Sequence, residues 1–464
     1  AYNVSTTMEL EGDLDRDRLR AALQHVVDRH SALRTTIAPD GTHQLVHPTL
    51  DVQVALTDLS SQTILDQGRD QVTALETWRT TVSREPIDLV RGPVFKPRLA
   101  CLAPNRHVLM LTAHHILADG MTMGVVMDEL AASYNALSTN AALPDAAPMQ
   151  FTEYLTRCAE ARDSPAMQAH KAFWLEQFAD TVPQLDLPLD RPRPSVKTYA
   201  GGRVSRQVDS DTLQALRRVS REHGCTLNMT LLTAFALLLH RYCRQDDIVV
   251  GTSVSGRPFP GSLNMAGYCT HLVPVRSRLE DNPSFSTMLR GMKGRLLDVF
   301  DHQDLPFAEL LHTLPLPRSS GAFPLISAVF NLEPVSALPQ LHGLSTRLLP
   351  QAVSFTPFDL FVNVIDAGNT LLVDADFNAD LFAASTIERM MEGFDALMRA
   401  ITAAPATAVR ALPLMTDEER DRILVEWNDT ARTLPDTCVH TYFEQWCEEQ
   451  PTATAWQMDD HEVS

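Results

Sequence analysis

Thr112-Ala-His-His-Ile-Leu-Ala-Asp-Gly-Met-Thr122 sets two histidines, a carboxylate and a glycine at the junction of a strand and a helix. Val108-Leu-Met-Leu111 just before it is an unbroken apolar run, which suits a strand buried on both faces and ending where the histidines begin. After it, Val126, Leu130 and Tyr134 recur at helical spacing, so a helix starts within a few residues of Gly120. Neighbouring side chains on a strand point to opposite faces, so His114 and His115 cannot share one role; one faces a cleft and the other is held in the body. Asp119 follows His115 at turn spacing, where a carboxylate either holds an imidazole tautomer or locks the loop through an arginine. Gly120 permits a turn that a side chain would obstruct and lets a substrate approach the main chain. His115, His114, Asp119 and Gly120 are therefore the candidate catalytic set.

The chain around this stretch has 464 residues, 44% of them hydrophobic, enough for two lobes rather than one core. A formal charge of -19 and a pI near 5.2 argue against nucleic acid or an anionic membrane as partner, because both reward a basic surface. Seven cysteines, an odd number with no C-x-x-C pair, suit a reducing, cytoplasmic setting and signal no zinc site. The richest apolar run, Leu231 to Leu239, is too short to span a bilayer, and no charged-then-apolar leader opens the sequence.

Taken in order, the chain opens in a strand-like segment, Tyr2 to Leu10. Leu19, Ala22, Leu23, Val26 and Val27 then form a helical stripe with Asp13 or Asp15 available as its cap. Val94 to Leu102 and Val108 to Ala113 read as an antiparallel hairpin, so the histidine-bearing strand is internal. Helices are expected at Phe151 to Ala161 and Ala166 to Phe178. The proline-rich Leu185 to Pro194 is too interrupted for a helix or central strand and reads as a linker. The resulting division is 1–180 for a first lobe carrying the histidines, 181–200 for the linker and 201–412 for a second lobe. That second lobe follows a similar plan without a second histidine pair, and its segment Pro334 to Pro357 is long for a compact-domain loop. Residues 413–434 form a charged connector, and 435–464 the beginning of another domain.

His114-His-Ile-Leu-Ala-Asp-Gly120 resembles the His-His-x-x-x-Asp-Gly signature of the chloramphenicol acetyltransferase-like superfamily, which includes the condensation domains of nonribosomal peptide synthetases. Arg29-His-Ser-Ala-Leu-Arg-Thr35, Gly267-Tyr-Cys-Thr-His-Leu-Val-Pro-Val-Arg276, Asp301-His-Gln-Asp-Leu-Pro-Phe307 and Pro324-Leu-Ile-Ser-Ala-Val-Phe-Asn331 are similar, in order, to further motifs of those domains. The first motif of such a domain does not stand before Tyr2. The resemblance implies an α/β fold of two chloramphenicol acetyltransferase-like sandwich lobes, arranged as a V-shaped pseudo-dimer with a central tunnel, and a latch from one lobe to the other in the Pro334 to Pro357 segment. It implies that His115 stands near the attacking amine, as base or as orienting group. It also implies that Asp119 holds its loop through an arginine, for which Arg257 in Ser255-Gly-Arg-Pro258 is the first candidate and Arg34 the second. Trp427-Asn-Asp-Thr430 and Val439 to Trp446 resemble the connector and first helix of an adenylation domain. Met121 and His271 depart from the residues that many relatives carry at those positions.

The implied reaction is amide formation between a donor acyl thioester and the amine of an acceptor aminoacyl thioester. No cofactor is bound directly; phosphopantetheine arms are delivered by an upstream donor carrier protein and a downstream acceptor carrier protein. An adenylation domain follows, and the protein is expected to be a monomer with no bound metal. Among rivals, a serine hydrolase lacks its nucleophile, since Gly251-Thr-Ser-Val-Ser-Gly256 does not have the G-x-S-x-G spacing. A metal hydrolase wants ligands on one face, whereas adjacent strand residues diverge. A non-catalytic carrier-docking domain, and an ester-forming or epimerising relative, remain the alternatives.

Overall fold

The computed structural model describes residues 2–60, 70–314, 323–334, 338–350, 355–433 and 436–464. Its contacts divide the chain into two compact units, Ala1–Leu414 and Met415–Ser464.

In the first unit the chain runs β1 (Asn3–Gly12), α1 (Arg16–Arg29), the short β2 (Thr35–Ile37) and β3 (Gln44–Val46), β4 (Ala55–Asp58), α2 (Gln71–Arg84), β5 (Phe95–Ala103), β6 (Arg106–His114), α3 (Gly120–Ser138), α4 (Phe151–Ala161) and α5 (Pro165–Gln177). It continues through β7 (Gly201–Val208), α6 (Ser210–Glu222), α7 (Leu227–Cys243), β8 (Asp247–Val254), β9 (His271–Arg278), α8 (Phe285–Asp301), α9 (Phe307–Thr313), β10 (Ala328–Pro334), β11 (Leu344–Leu349), β12 (Leu360–Asp366), β13 (Leu371–Asn378) and α10 (Ala384–Ala403).

Among the described residues the two larger sheets have the orders β11-β1-β6-β5-β4 and β7-β13-β12-β10-β8-β9. β6 lies between β1 and β5, antiparallel to both, so the histidine strand is internal as its apolar run requires. Leu109, Leu111 and Ala113 face the core shared with α1 and α3, while Val108 and Met110 face α2, which buries both sides of the strand. Asp15 caps α1, accepting from the Arg18 amide at 3.0 Å, and Leu19, Ala22, Leu23, Val26 and Val27 form its buried stripe. α7 is buried along nearly its whole length, from Met229 to His240, within a second core that also takes up α6, α8 and α10.

The cores do not follow chain order. Trp174 of α5, with Phe178 and Leu187 beyond it, packs into the core of the second sheet, although α5 falls within the first 180 residues. Conversely β11 crosses to pair with β1, and Met265, Ala266 and Cys269 bury themselves in the first core. The crossing strand lies in the long Pro334 to Pro357 segment; residues 335–337 and 351–354 of that segment are outside the described residues. The proline-rich 185–194 stretch carries no helix or strand.

The second unit contains α11 (Asp417–Leu424), α12 (Val439–Glu449) and a small hairpin of β14 (Trp456–Met458) and β15 (His461–Val463). Residues 434 and 435, where connector and following segment are expected to meet, lie outside the described residues. Neither helix of this unit has a buried side chain.

Candidate active site

β6 ends at His114, and a turn closed by the Leu117 amide donating to the His114 carbonyl (3.0 Å) leads to α3. Asp119 is the N-cap of α3: its Oδ1 accepts from the Thr122 amide at 2.8 Å. The rest of its environment comes from the β8–β9 connection. Arg257 Nη2 donates to Oδ1 at 3.0 Å, and Oδ2 accepts from the amides of Cys269 (3.0 Å) and Thr270 (3.1 Å) and from the Thr270 hydroxyl (3.1 Å). The Arg257 and Asp119 side chains are 0% and 1% exposed. Burial alone would raise the Asp119 carboxyl, but the Arg257 charge and these amides overcome it and hold the group below the usual carboxylate range. Of the two roles open to this carboxylate, loop locking is the one its geometry matches.

Arg257 is thus brought to Asp119, and Arg34 is not. Arg34 donates to the His47 carbonyl at the end of the short β2–β3 hairpin, because the turn after α1 points it along that hairpin. In the same motif Arg29 pairs with Glu129 of α3 at 2.8 Å; burial would raise Glu129, but His30 and Arg29 hold it down at about 2. The motif ties α1 to α3 and supplies no partner to Asp119.

Gly120 does not make the turn expected of it, one that a side chain would obstruct. It begins α3 with no left-handed dihedral, and a methyl group built on it meets nothing within 4 Å. The tight glycine is Gly256, at φ +61°, where a Cβ would stand 2.1 Å from the Cys269 carbonyl oxygen. That close approach lets the β8–β9 connection fold back on itself beneath Asp119.

The two histidines diverge as strand geometry requires. His115 lines a cavity of about 1550 Å³ inside the first unit, whereas His114 does not. His114 accepts from the Ile116 amide through Nδ1 at 3.1 Å. Burial, reinforced by His115, lowers the His114 imidazole below its ordinary value. His115 donates its backbone N–H to the Tyr2 carbonyl at 2.8 Å, and its ring lies between Tyr2, stacked at 4.7 Å, and Tyr268, edge-on at 5.4 Å. Burial pushes the His115 imidazole down as well, against smaller opposing pulls from its own backbone, Asp119 and the Ala118 backbone, so the neutral ring persists below the ordinary imidazole range.

The cavity wall joins Ser5, Thr7 and Met110 of the first sheet to Ser253, Val329 and Phe361 of the second. His271 stands at the wall with Nε2 2.7 Å from the Gln303 carbonyl and Nδ1 3.3 Å from that of Cys269. Trp174 donates to the His302 carbonyl at 2.9 Å. The Asp301 to Phe307 motif thus uses backbone carbonyls to seat side chains from elsewhere. Among the described residues no group of three or more His, Cys, Asp or Glu is placed to hold a metal ion, and no helix is long and apolar enough to cross a membrane.

Tyr2, Tyr268, Thr122 and Thr270 are the site residues that motif reading does not single out. Thr122 closes the quoted stretch; its hydroxyl lies 2.8 Å from Asp119 Oδ1 and 2.9 Å from the Gly267 carbonyl, and it accepts from the Gly267 amide at 3.1 Å. Its place in the first turn after an Asp cap is the available signal. Tyr268 stands in the quoted Gly267 to Arg276 motif and nothing local marks Tyr2, but the contact of either ring with the imidazole is set by long-range packing.

Comparison with known proteins agrees with this geometry. A family model described as "Condensation domain" matches residues 1–424. A linear gramicidin synthase of Brevibacillus parabrevis is 33% identical over 472 residues, covering 100% of this chain and 6% of that protein. Tyrocidine synthase 2 of the same organism is 32% identical over 474 residues, covering 100% and 13%. The chain therefore spans only a small part of the length of these relatives. The X-domain from teicoplanin biosynthesis, solved in complex with OxyB, superposes with a TM-score of 0.78 at 25% identity, over 90% of this chain and 92% of that one. The first condensation domain of the CDA synthetase gives 0.75 at 20% identity, over 89% and 94%, a likeness of fold.

Proposed function

The chain belongs to the condensation-domain family, and on that basis we propose that it joins a donor acyl, aminoacyl or peptidyl thioester to the amine of an acceptor aminoacyl thioester. The observation that carries this reading is His115: an imidazole kept neutral by burial, on the wall of a cavity that both sheets line. The amine nitrogen attacks the thioester carbonyl carbon, the C–N bond forms, and the C–S bond breaks as thiolate leaves. The proton lost by nitrogen goes to His115 or directly to the departing sulfur; in the second case His115 orients the amine by a hydrogen bond. An α-amine of pKa about 8 is already partly neutral near pH 7, so positioning supplies much of the effect.

Both thioesters arrive on phosphopantetheine arms carried by separate carrier proteins. The cavity volume exceeds that of ordinary small-molecule sites, roughly 300–1,000 Å³, which suits two arms meeting end to end. Ser5, Thr7 and Ser253 would hold their amides, and Met110 and Val329 their methylene segments. The amine-bearing arm belongs to an acceptor carrier, and an adenylation domain that loads this carrier is the partner suggested by the Trp427 to Trp446 resemblance.

A second reading is a domain that docks partners without turnover, and the structural likeness to an X-domain solved with OxyB favours it. One assay separates the two. With two loaded carriers the wild type turns over, and His115→Ala stays folded by circular dichroism while losing about 10²–10⁴-fold in kcat. The neutral ring is the working form, so wild-type kcat falls with protonation of the amine below about pH 8, and loss of the neutral imidazole adds a second, steeper decline only below about pH 6.5. Absence of turnover in the wild type, or full activity in His115→Ala, selects docking or another catalytic group.

A further inference from the structure

The His115 ring has weak polar support: its own backbone and that of Ala118 pull on the imidazole, but no side chain among the described residues holds it by a hydrogen bond. Asp119 accepts from Thr122, Arg257, Cys269 and Thr270, with no hydrogen bond to the imidazole, and Nδ1 of His115 has no hydrogen-bond partner. The ring contacts are aromatic. Tyr2 lies nearly parallel to the imidazole, with 16° between planes, and Tyr268 stands across its edge at 89°. Stacked and edge-to-face pairs at these centroid separations are the geometries that the aromatic quadrupole favours.

Both tyrosines sit on anchored backbone. Next to Tyr2, Asn3 Nδ2 donates to the carbonyls of Ser83 (3.0 Å) and Glu85 (2.9 Å), pinning the start of β1 to the end of α2. Tyr268 is flanked by Gly267, bonded to Thr122, and by Cys269, whose amide is bonded to Asp119. The buried Asp119–Arg257 pair therefore reaches His115 indirectly, by holding the loop that presents Tyr268.

We propose that Tyr2 and Tyr268 are positioning residues of the condensation reaction, two rings that together set the angle of the His115 imidazole in the cavity. The proposal rests on the reading of His115 as the group that meets the amine. It makes the site composite, because one ring comes from the start of the first strand of one sheet and the other from the approach to an edge strand of the second. The titratable groups around the imidazole are Asp119, His114 and the two phenols. Both rings keep part of their surface in water, 46% for Tyr2 and 41% for Tyr268, and neither phenol ionises near neutrality: partial loss of hydration, reinforced by Tyr268, raises Tyr2, and the same loss with the Asp119 charge raises Tyr268.

Tyr2→Ala, Tyr268→Ala and the matching phenylalanine variants of the full chain test this, with steady-state kinetics on two loaded carriers and NMR titration of the His115 ring. Each alanine variant is expected to lose roughly 10–100-fold in kcat, with KM for either carrier within about twofold, as for a misplaced catalytic group. Its His115 titration midpoint should rise toward about 6.5 as water reaches the ring. The phenylalanine variants keep the rings and should recover most of kcat and the wild-type midpoint. If Tyr268→Ala does not fold, Tyr2→Ala carries the same comparison. Alanine variants with wild-type kcat and midpoint, or phenylalanine variants as impaired as alanine, would overturn the proposal. An active His115→Ala would instead remove the catalytic reading, while the midpoints still report whether the rings hold the imidazole.

Discussion

Asp119 shows how one buried charge ties together the segments around His115. Its hydrogen bonds reach across from α3 to the β8–β9 connection, and Arg257 neutralises it where water does not reach. A buried ion pair adds little net stability over apolar packing, but removing one partner leaves the other charge unpaired. Asp119→Asn is therefore expected to lower unfolding free energy at pH 7 by about 3–5 kcal/mol in urea titrations. The folded carboxyl is depressed, so its contribution is complete above the unfolded carboxyl value of about 3.9 and disappears as pH falls through the folded value. The gap between wild type and variant should accordingly narrow in acid. A constant gap from pH 7 down to the acid limit would show that the lost interaction is not the carboxylate's charge.

At the scale of elements, the β8–β9 connection does more than join two strands. It sends Arg257 and the Cys269 and Thr270 amides to Asp119, accepts the Tyr154 hydroxyl at the Gly256 carbonyl (2.6 Å), and buries Met265 and Ala266 in the first core. Gly256 makes that fold possible, and Gly120 in the signature does not. Gly256→Ala is expected to cost at least about 2 kcal/mol, from a left-handed dihedral and a clash with backbone, and to reduce kcat as Tyr268 moves. Gly120→Ala places a methyl in open space at a helix start and should change stability by less than about 1 kcal/mol. Denaturation curves of the two variants side by side check the contrast. Equal losses would mean that Gly120 carries a backbone constraint of its own.

For the whole molecule, the cavity depends on exchange between the two sheets. β11 extends the first sheet from late in the chain, and α5 packs its Trp174 into the second core from early in it, so neither half of Ala1–Leu414 is complete alone. Met415–Ser464 is a separate compact unit whose helices bury no side chain. Deleting it should shift the melting temperature of the remainder by less than about 2 °C, under about 1 kcal/mol, and leave turnover with loaded carriers nearly unchanged. A markedly lower melting temperature would show that Ala1–Leu414 draws stability from the tail.

The elements and half of the site are legible in the amino-acid order alone. A fully apolar β6, the stripe and Asp cap of α1, and the apolar α7 are local patterns, and each follows from which faces must leave water. The divergence of His114 and His115 follows from strand geometry in the same way, and the ordered motifs carry the fold and Arg257 as a candidate. The folded chain is needed to separate Arg257 from Arg34, because both guanidiniums suit a carboxylate and the path of the backbone decides which one reaches it. It also moves the necessary glycine from 120 to 256, since a close approach exists only between segments already folded together. The contacts of Tyr2 and Tyr268 belong to the same class: Tyr268 lies in a recognisable motif and Tyr2 does not, yet both rings meet the imidazole where segments distant in sequence converge, a contact that no local periodicity encodes.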